Sequence, residues 1–402
     1  MTSADLSIPL SDAINVVTLT QCLIFAAYFL ARARRGDVST WFLAAAFIIL
    51  ASVKADQLYQ MLGGFQAYPQ FGFVLTPVQA AMTPALYLFV MARTTPDFNL
   101  RRAHLWHLAP ALLVTAYLVA IYFRFDVAEK TVLIESGGLN TVANRLIVPL
   151  LGDAVQLAYL IAAYRRLQAF GVSLKNWFAR IDNRDLVWMK RLLTLWGAVF
   201  VIHAALTLAS SLPGGRSTAY VILRILDLSH LAIAYLLALL GATDIERRLA
   251  GLEALPRGQL AEKVKYAASG LSAADRAALY RRASETMARE ALFLQPDLTL
   301  NDLAAAIGAP PRDVSEAVNG AGGQSFFEFV NSARIRHAQD RLLAEPQARI
   351  IDIAFQSGFN SKSAFNDAFK KSARMTPTQY RRAHALPPET ARPAEKPAPQ
   401  AS

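Results

Sequence analysis

Seven apolar runs follow one another through the first 242 residues, at about 13–31, 41–62, 72–92, 105–123, 146–164, 192–212 and 219–241. Each approaches the ~20 residues that a helix needs to cross ~30 Å of hydrocarbon. A backbone in lipid must satisfy its own hydrogen bonds, so such runs commit the chain to helices. Some runs are impure: Lys54 and Asp56 fall in the second, and Asp227 in the seventh. The twelve residues ahead of the first run contain Asp5 and Asp12 and neither lysine nor arginine. A secretory signal starts basic, so this run reads as a retained span.

The breaks between runs alternate in charge. Residues 32–37 hold Arg32, Arg34 and Arg35 against Asp37, and residues 93–104 hold Arg93, Arg101 and Arg102 against Asp97. Residues 165–191 hold seven basic residues against Asp182 and Asp185. The intervening breaks are near neutral: 63–71 has no charge, 124–145 balances three basic residues with three acidic ones, and 213–218 has only Arg216. Basic loops collect on the cytoplasmic side. Seven spans therefore place the N-terminus outside and everything after residue 242 in the cytoplasm. The net charge of +11 has to be read against this topology, since membrane loops and nucleic-acid binding both gather lysine and arginine.

After Gly241 charged residues become frequent and no stretch is long and apolar enough to span. The expected division is a membrane sensor-like domain over 1–242, a cytoplasmic linker over 243–284, a DNA-binding domain over 285–384 and a disordered tail over 385–402. In the linker, Ile245, Leu249 and Leu252 share a helical face until Pro256 and Gly258 interrupt it. Ser272 is placed to cap a helix over 272–293. The tail is rich in Pro, Ala, Glu and Lys and too poor in apolar residues to pack a core.

Two stretches repeat one grammar. In "LTLNDLAAAIGAPPRDVSEAVN", Leu298 to Asn319, the residues Leu303, Ala304 and Ile307 form an apolar face. Gly308 stops that helix and Pro311 opens the next, on which Val314 and Val318 point inward. In "IIDIAFQSGFNSKSAFNDAFKK", Ile350 to Lys371, the stop is Gly358, the cap is Asn360 or Ser361, and Phe365 and Phe369 point inward. Helix, tight turn, helix is the spacing of a DNA-reading motif. Between the units, "SFFEFVNSARIRHAQDRLLAE" reads as one long helix that sets the distance between two reading helices, so both can enter successive major grooves.

The stretch "RIIDIAFQSGFNSKSAFNDAFKKSARMTPTQYRR", Arg349 to Arg382, resembles the C-terminal signature of the AraC/XylS family of bacterial transcription regulators. Ile353, Ala354, Gly358, Phe359, Ser361, Phe365, Phe369, Lys370, Thr376, Pro377, Tyr380 and Arg381 carry that resemblance. Asn331 and Arg334, with Ala338, Leu342 and Leu343, resemble its linker helix. Lys265 and Tyr266 followed by "SGLS" resemble the juxtamembrane region of members with membrane N-termini. The resemblance implies two helix-turn-helix units and sequence-specific promoter binding, and says little about residues 1–242. Three positions depart from it: Arg374 stands where glycine is usual, and Glu316 and Asp367 are acidic where basic residues are common.

The expected DNA-contacting residues are Arg312, Ser315, Lys362, Ser363, Asn366, Lys370, Lys371, Arg374 and Arg381. Arginine and lysine read guanine, asparagine reads adenine, and basic side chains hold phosphate. Residues 297–320 hold one arginine against four acids, whereas 361–382 hold six basic residues against Asp367. The second unit is thus expected to anchor the backbone. In the membrane half, Asp56, Asp153, His203, Arg224, Asp227 and His230 are costly in lipid and are candidates for a sensing cavity or for structural pairs. His104 and His107 are too few for a metal site. The chain shows no phosphate-binding loop, zinc-protease or serine-hydrolase motif, so no catalytic residue, metal or cofactor is expected.

These readings converge on an all-α chain: an N-terminal seven-helix transmembrane bundle and a C-terminal two-unit helix-turn-helix DNA-binding domain. It would sit in the bacterial inner membrane and couple an unknown small-molecule or envelope signal to promoter binding. Its partners would be double-stranded promoter DNA, membrane lipid, a second copy of the chain and RNA polymerase. The competing reading is a membrane receptor or transporter-like protein whose cytoplasmic helices bind a protein partner.

Overall fold

The structure, a computed structural model, describes residues 10–33, 38–95, 98–181, 186–210, 232–243 and 271–384. Among these residues the regular structure is helical, with one isolated antiparallel bridge between Phe178 and Thr299. The chain divides into two compact units. The first comprises Met1–Gly171 and Leu186–Lys265; the second comprises Val172–Asp185 and Tyr266–Ser402.

In the first unit the main helices are α1 (Leu10–Arg32), α2 (Val38–Met61), α3 (Met82–Thr94), α4 (Ala109–Leu118), α5 (Val127–Glu135), α6 (Val148–Trp177), α7 (Val187–Ser210) and α8 (Ala232–Thr243). Six helical stretches are long and apolar enough to cross a membrane: Ala13–Arg32, Val38–Met61, Pro69–Thr94, Arg102–Phe123, Ala143–Trp177 and Val187–Ala209. They coincide with the first six apolar runs. Much of the seventh run lies outside the described residues, and its described part is the short apolar helix α8. The third span is not one continuous helix. Phe73 takes a positive φ of 62°, and a single helical turn at Thr76–Gln79 precedes α3.

Apolar helices gain little from hiding from lipid, so they associate through close packing and polar ties. Buried Ala26, Ala44 and Ala51 are small enough for that, and Phe29 stacks on Phe47 with ring centres 5.5 Å apart. Thr83 donates to Gln156 at 3.0 Å, tying α3 to α6. Leu112, Leu113, Leu151 and Val201 face outward, as lipid-covered residues do.

The polar residues of this unit are mostly partnered in pairs. His203 and Asp153 meet at 2.8 Å and join α7 to α6. Gln60 donates to Asp56 at 2.9 Å, and the fully buried Lys54 donates to Gln57 at 2.9 Å. Arg224, Asp227 and His230, the remaining candidates for a sensing cavity, lie outside the described residues.

The second unit contains α9 (Ala273–Arg289), α10 (Leu300–Ile307), α11 (Pro311–Gly320), α12 (Phe326–Ala344), α13 (Ile350–Gln356), α14 (Lys362–Ala373) and α15 (Pro377–His384). Ser272 caps α9 as its sequence position requires, and α9 continues to Arg289. Three helices begin in the same way. Ser272 with Asp275, Thr299 with Asp302, and Ser325 with Glu328 each form a reciprocal capping box that satisfies otherwise orphaned amides. The tail from residue 385 lies outside the described residues.

Candidate nucleic-acid interface

The first helix-turn-helix is α10 and α11. Leu300, Leu303, Ala304 and Ile307 of α10 and Val314, Ala317 and Val318 of α11 are buried, which follows their helical spacing. Gly308 ends α10 at φ 63°, ψ 43°, a left-handed conformation that glycine takes without penalty. The opposite face of α11 carries Arg312, Ser315, Glu316 and Asn319. Asn319 folds back on Ser315, donating to its carbonyl at 2.7 Å. Glu316 is not turned to a groove: Arg276 of α9 holds its carboxylate at 3.0 Å. That partner explains an acid on a reading helix, and the sequence pattern did not reveal it.

The second is α13 and α14, built on an aromatic core. Phe359, Phe365 and Phe369 pack edge to face in succession, with ring centres 5.3 and 5.5 Å apart. Ile335, Ala338 and Leu342 of α12 and Ile353 and Ala354 of α13 close the same core. Ser361 caps α14 by accepting from the Ala364 amide at 3.1 Å, which selects it over Asn360. Lys362 and Ser363 follow the cap directly and are exposed; Asn366 lies one turn on and is half-buried.

The basic residues expected at DNA divide into two groups. Lys362, Lys370 and Arg374 are exposed along α14 and its end. Lys371 is paired with Glu328 of α12 at 2.6 Å, and Arg381 donates to the Ala348 carbonyl at 2.8 Å. Those two side chains brace the second unit against α12 and the loop before α13. Lys371 together with the Ser325 amide holds the Glu328 carboxyl down at about 2. Arg374 ends α14 at φ 56°, the left-handed position for which glycine is the usual residue.

Between the two helix-turn-helix motifs lies a hub at residues 293–299. Arg334 of α12, 2% exposed, donates to the carbonyls of Phe293 and Gln295, both at 2.7 Å, and to Pro296 at 3.3 Å. Burial lowers its pKa to about 10, so the guanidinium stays charged at neutral pH. Gly358, the turn of the second unit, backs onto the same loop. A Cβ there would lie 2.4 Å from the Phe293 oxygen and 3.0 Å from the Leu294 Cα.

Residues 303–383 match the family model of the helix-turn-helix domain. An uncharacterized HTH-type transcriptional regulator of Staphylococcus aureus (strain COL) is 36% identical over 90 residues, 22% of this chain and 12% of that protein. The HTH-type transcriptional regulator GlxA of Rhizobium meliloti (strain 1021) is 35% identical over 75 residues, 19% of this chain and 23% of that one. The chain thus spans about an eighth to a quarter of the length of these relatives. Among solved structures, the C-terminal domain of AraT, a response regulator from Geobacillus stearothermophilus, is 30% identical, covering 30% of this chain and 94% of that one with a TM-score of 0.26.

These matches correct the AraC/XylS designation. What matches is a helix-turn-helix domain, and the named relatives are HTH-type regulators, GlxA among them. The physical reason lies in the residues that carried the resemblance. Gly358, Phe359, Phe365 and Phe369 make the turn and the core. They specify a helix-turn-helix fold and leave the narrower family name unsupported. The chain therefore combines a helix-turn-helix regulator-like domain with several helices apolar enough for a membrane.

Proposed function

We propose that the chain is a membrane-embedded, one-component regulator that binds double-stranded promoter DNA and changes its binding with a signal received by the apolar half. The observation that supports it most is the pair of reading helices, α11 and α14, each set by a glycine turn and joined by the 19-residue α12. In this reading Arg312, Ser315, Lys362, Ser363 and Asn366 meet base edges, and Lys370 and Arg374 meet phosphate. Lys371 and Arg381 serve mainly to brace the second unit. Such a site needs no cofactor.

The seven-span arrangement, with the N-terminus outside and the DNA-binding unit in the cytoplasm, follows from the loop charges. The Asp153–His203 tie is the best candidate for a polar element that a signal would rearrange, because it joins two spans. A signal acts only through different affinities for two states. A second copy of the chain would supplement the weakly basic first unit, and RNA polymerase is the partner an activator would need.

The test is selection of duplexes from a random pool by the full-length protein in lipid nanodiscs. A recurrent motif, lost in the Lys362→Ala/Asn366→Ala variant at equal folded yield, supports the reading. Capture that is independent of sequence and unchanged in the variant sinks it.

A further inference from the structure

Residues 172–185, which begin with the last turns of α6, belong to the same compact unit as the helix-turn-helix helices. Past the helix end at Trp177, residues 178–180 run extended against the hub through one isolated bridge. Phe178 and Thr299 form an antiparallel bridge, and the Ala179 amide donates to the Leu298 carbonyl at 3.1 Å. Two residues on from the bridge in each direction, Arg180 and Asp297 stand opposite one another and pair at 2.7 Å. Phe178 and Ala179 are each 2% exposed, so this edge is packed and not merely adjacent.

The strand's target is well placed to pass on a change. Thr299 is the cap of α10, and its hydroxyl and amide both engage Asp302. Just before it, the hub carbonyls are held by Arg334 of α12, and the hub backbone is met by Gly358 of the second turn. One seven-residue segment therefore touches the first unit, the linker helix, the second unit and the 178–180 strand.

We propose that residues 178–180 are an intramolecular docking strand that binds the 297–299 edge and sets the DNA affinity of both helix-turn-helix units. A signal would reach them through the basic loop after α6, in addition to the segment between α8 and α9. The effect on DNA rests on the regulatory reading above; the docking does not. Docking here pairs two short extended segments through one antiparallel bridge, with a charge pair fixing register.

The experiment uses the full-length chain in native membranes, with Cys22→Ser removing its own cysteine. Opposed residues of an antiparallel pair lie within disulfide reach. Arg180→Cys/Asp297→Cys, at partly exposed positions, should oxidise to a bond within one chain, reversed by reductant and identified on the joined peptides. Arg180→Cys/Asp367→Cys serves as the mismatched control. The expected result is a crosslink at least tenfold above the control and a DNA affinity at least fivefold different between locked and reduced forms. Charge reversal gives an independent arm: Arg180→Glu should shift affinity in the direction opposite to the lock, and Arg180→Glu/Asp297→Arg should restore it.

Crosslinking no better than the control overturns the docking. Crosslinking with unchanged DNA affinity overturns the coupling. If reduced protein binds no DNA, the regulator reading and the coupling fall together, and crosslink yield still decides the docking.

Discussion

The guanidinium of Arg334 reaches back 41 residues to hold the Phe293 carbonyl at 2.7 Å, with its side chain almost wholly buried. A guanidinium holds five donors in a fixed planar fork, whereas an ammonium is a compact point charge with three rotatable donors that cannot reproduce that fork. Arg334→Lys should therefore keep the charge and lose the geometry, and Arg334→Met should lose both. We expect Arg334→Met to destabilise the second unit by about 3 kcal/mol, because hydrogen bonds to a charged group are lost and buried carbonyls are stranded. Hydrogen exchange of residues 293–299 in the full-length protein reads this directly. Faster exchange should follow the order wild type, lysine, methionine, and unchanged protection in both variants would refute the bracing role.

Two turn glycines offer a matched comparison. Gly308 and Gly358 both have positive φ, at 63° and 84°, yet a Cβ on Gly308 meets nothing within 4 Å. Gly308→Ala should cost only the left-handed strain, about 1 kcal/mol. Gly358→Ala adds collisions with the Phe293 oxygen and the Leu294 backbone, and should cost several times more. Unfolding midpoints of the two variants side by side give the answer; equal losses would mean that the hub yields easily.

The Lys371–Glu328 pair gives the second unit an acid dependence. The folded carboxyl titrates at about 2 against its ordinary 4.5, chiefly because Lys371 donates to it. Its contribution to stability is complete above pH 4.5 and declines as the pH falls toward 2. Lys371 is exposed and Glu328 partly so, and screening keeps the effect small. Lys371→Met should flatten the loss of stability between pH 4.5 and 2. An acid profile identical to wild type would leave the pair without a role.

In the proposed DNA-binding reading, Arg374 carries a conflict between folding and binding. Its φ of 56° suits glycine, while its charge suits phosphate. Arg374→Gly should raise stability by up to about 1 kcal/mol and weaken DNA binding equally across sequences. Lys370→Ala should lower the salt slope of binding by about 1 with little change in sequence preference. Loss of sequence preference in either variant would assign that residue to base reading.

Much of this organisation was legible in the residues. Of the seven apolar runs, six coincide with described helices long and apolar enough to cross a membrane, because length in lipid is a fixed requirement. Gly308, Gly358, Ser272 and the paired phenylalanines marked turns, caps and core because each acts locally. What was not legible depends on residues far apart in the chain. Nothing near Glu316 announces Arg276, and nothing near His203 announces Asp153. The same holds for Lys371 and Arg381. Their partners, Glu328 and the Ala348 carbonyl, lie 43 and 33 residues away in the chain. The 178–180 strand has no periodicity, since three residues are too few to display one.

Helix α6 has a consequence of its own. Its 30 residues rise about 45 Å, against a hydrocarbon layer of about 30 Å. Roughly ten residues are surplus, and Arg165, Arg166 and Lys175 crowd the end that leads to the docking strand. Each ~3 Å of bilayer thickness corresponds to about two residues of helix. If α6 spans a membrane as proposed, thinning or thickening of the bilayer would move the point at which this rod leaves the oil, ahead of the segment that meets the hub. Under the proposed membrane reading, hydrophobic mismatch, an ordinary nuisance for a spanning helix, would become a mechanical input.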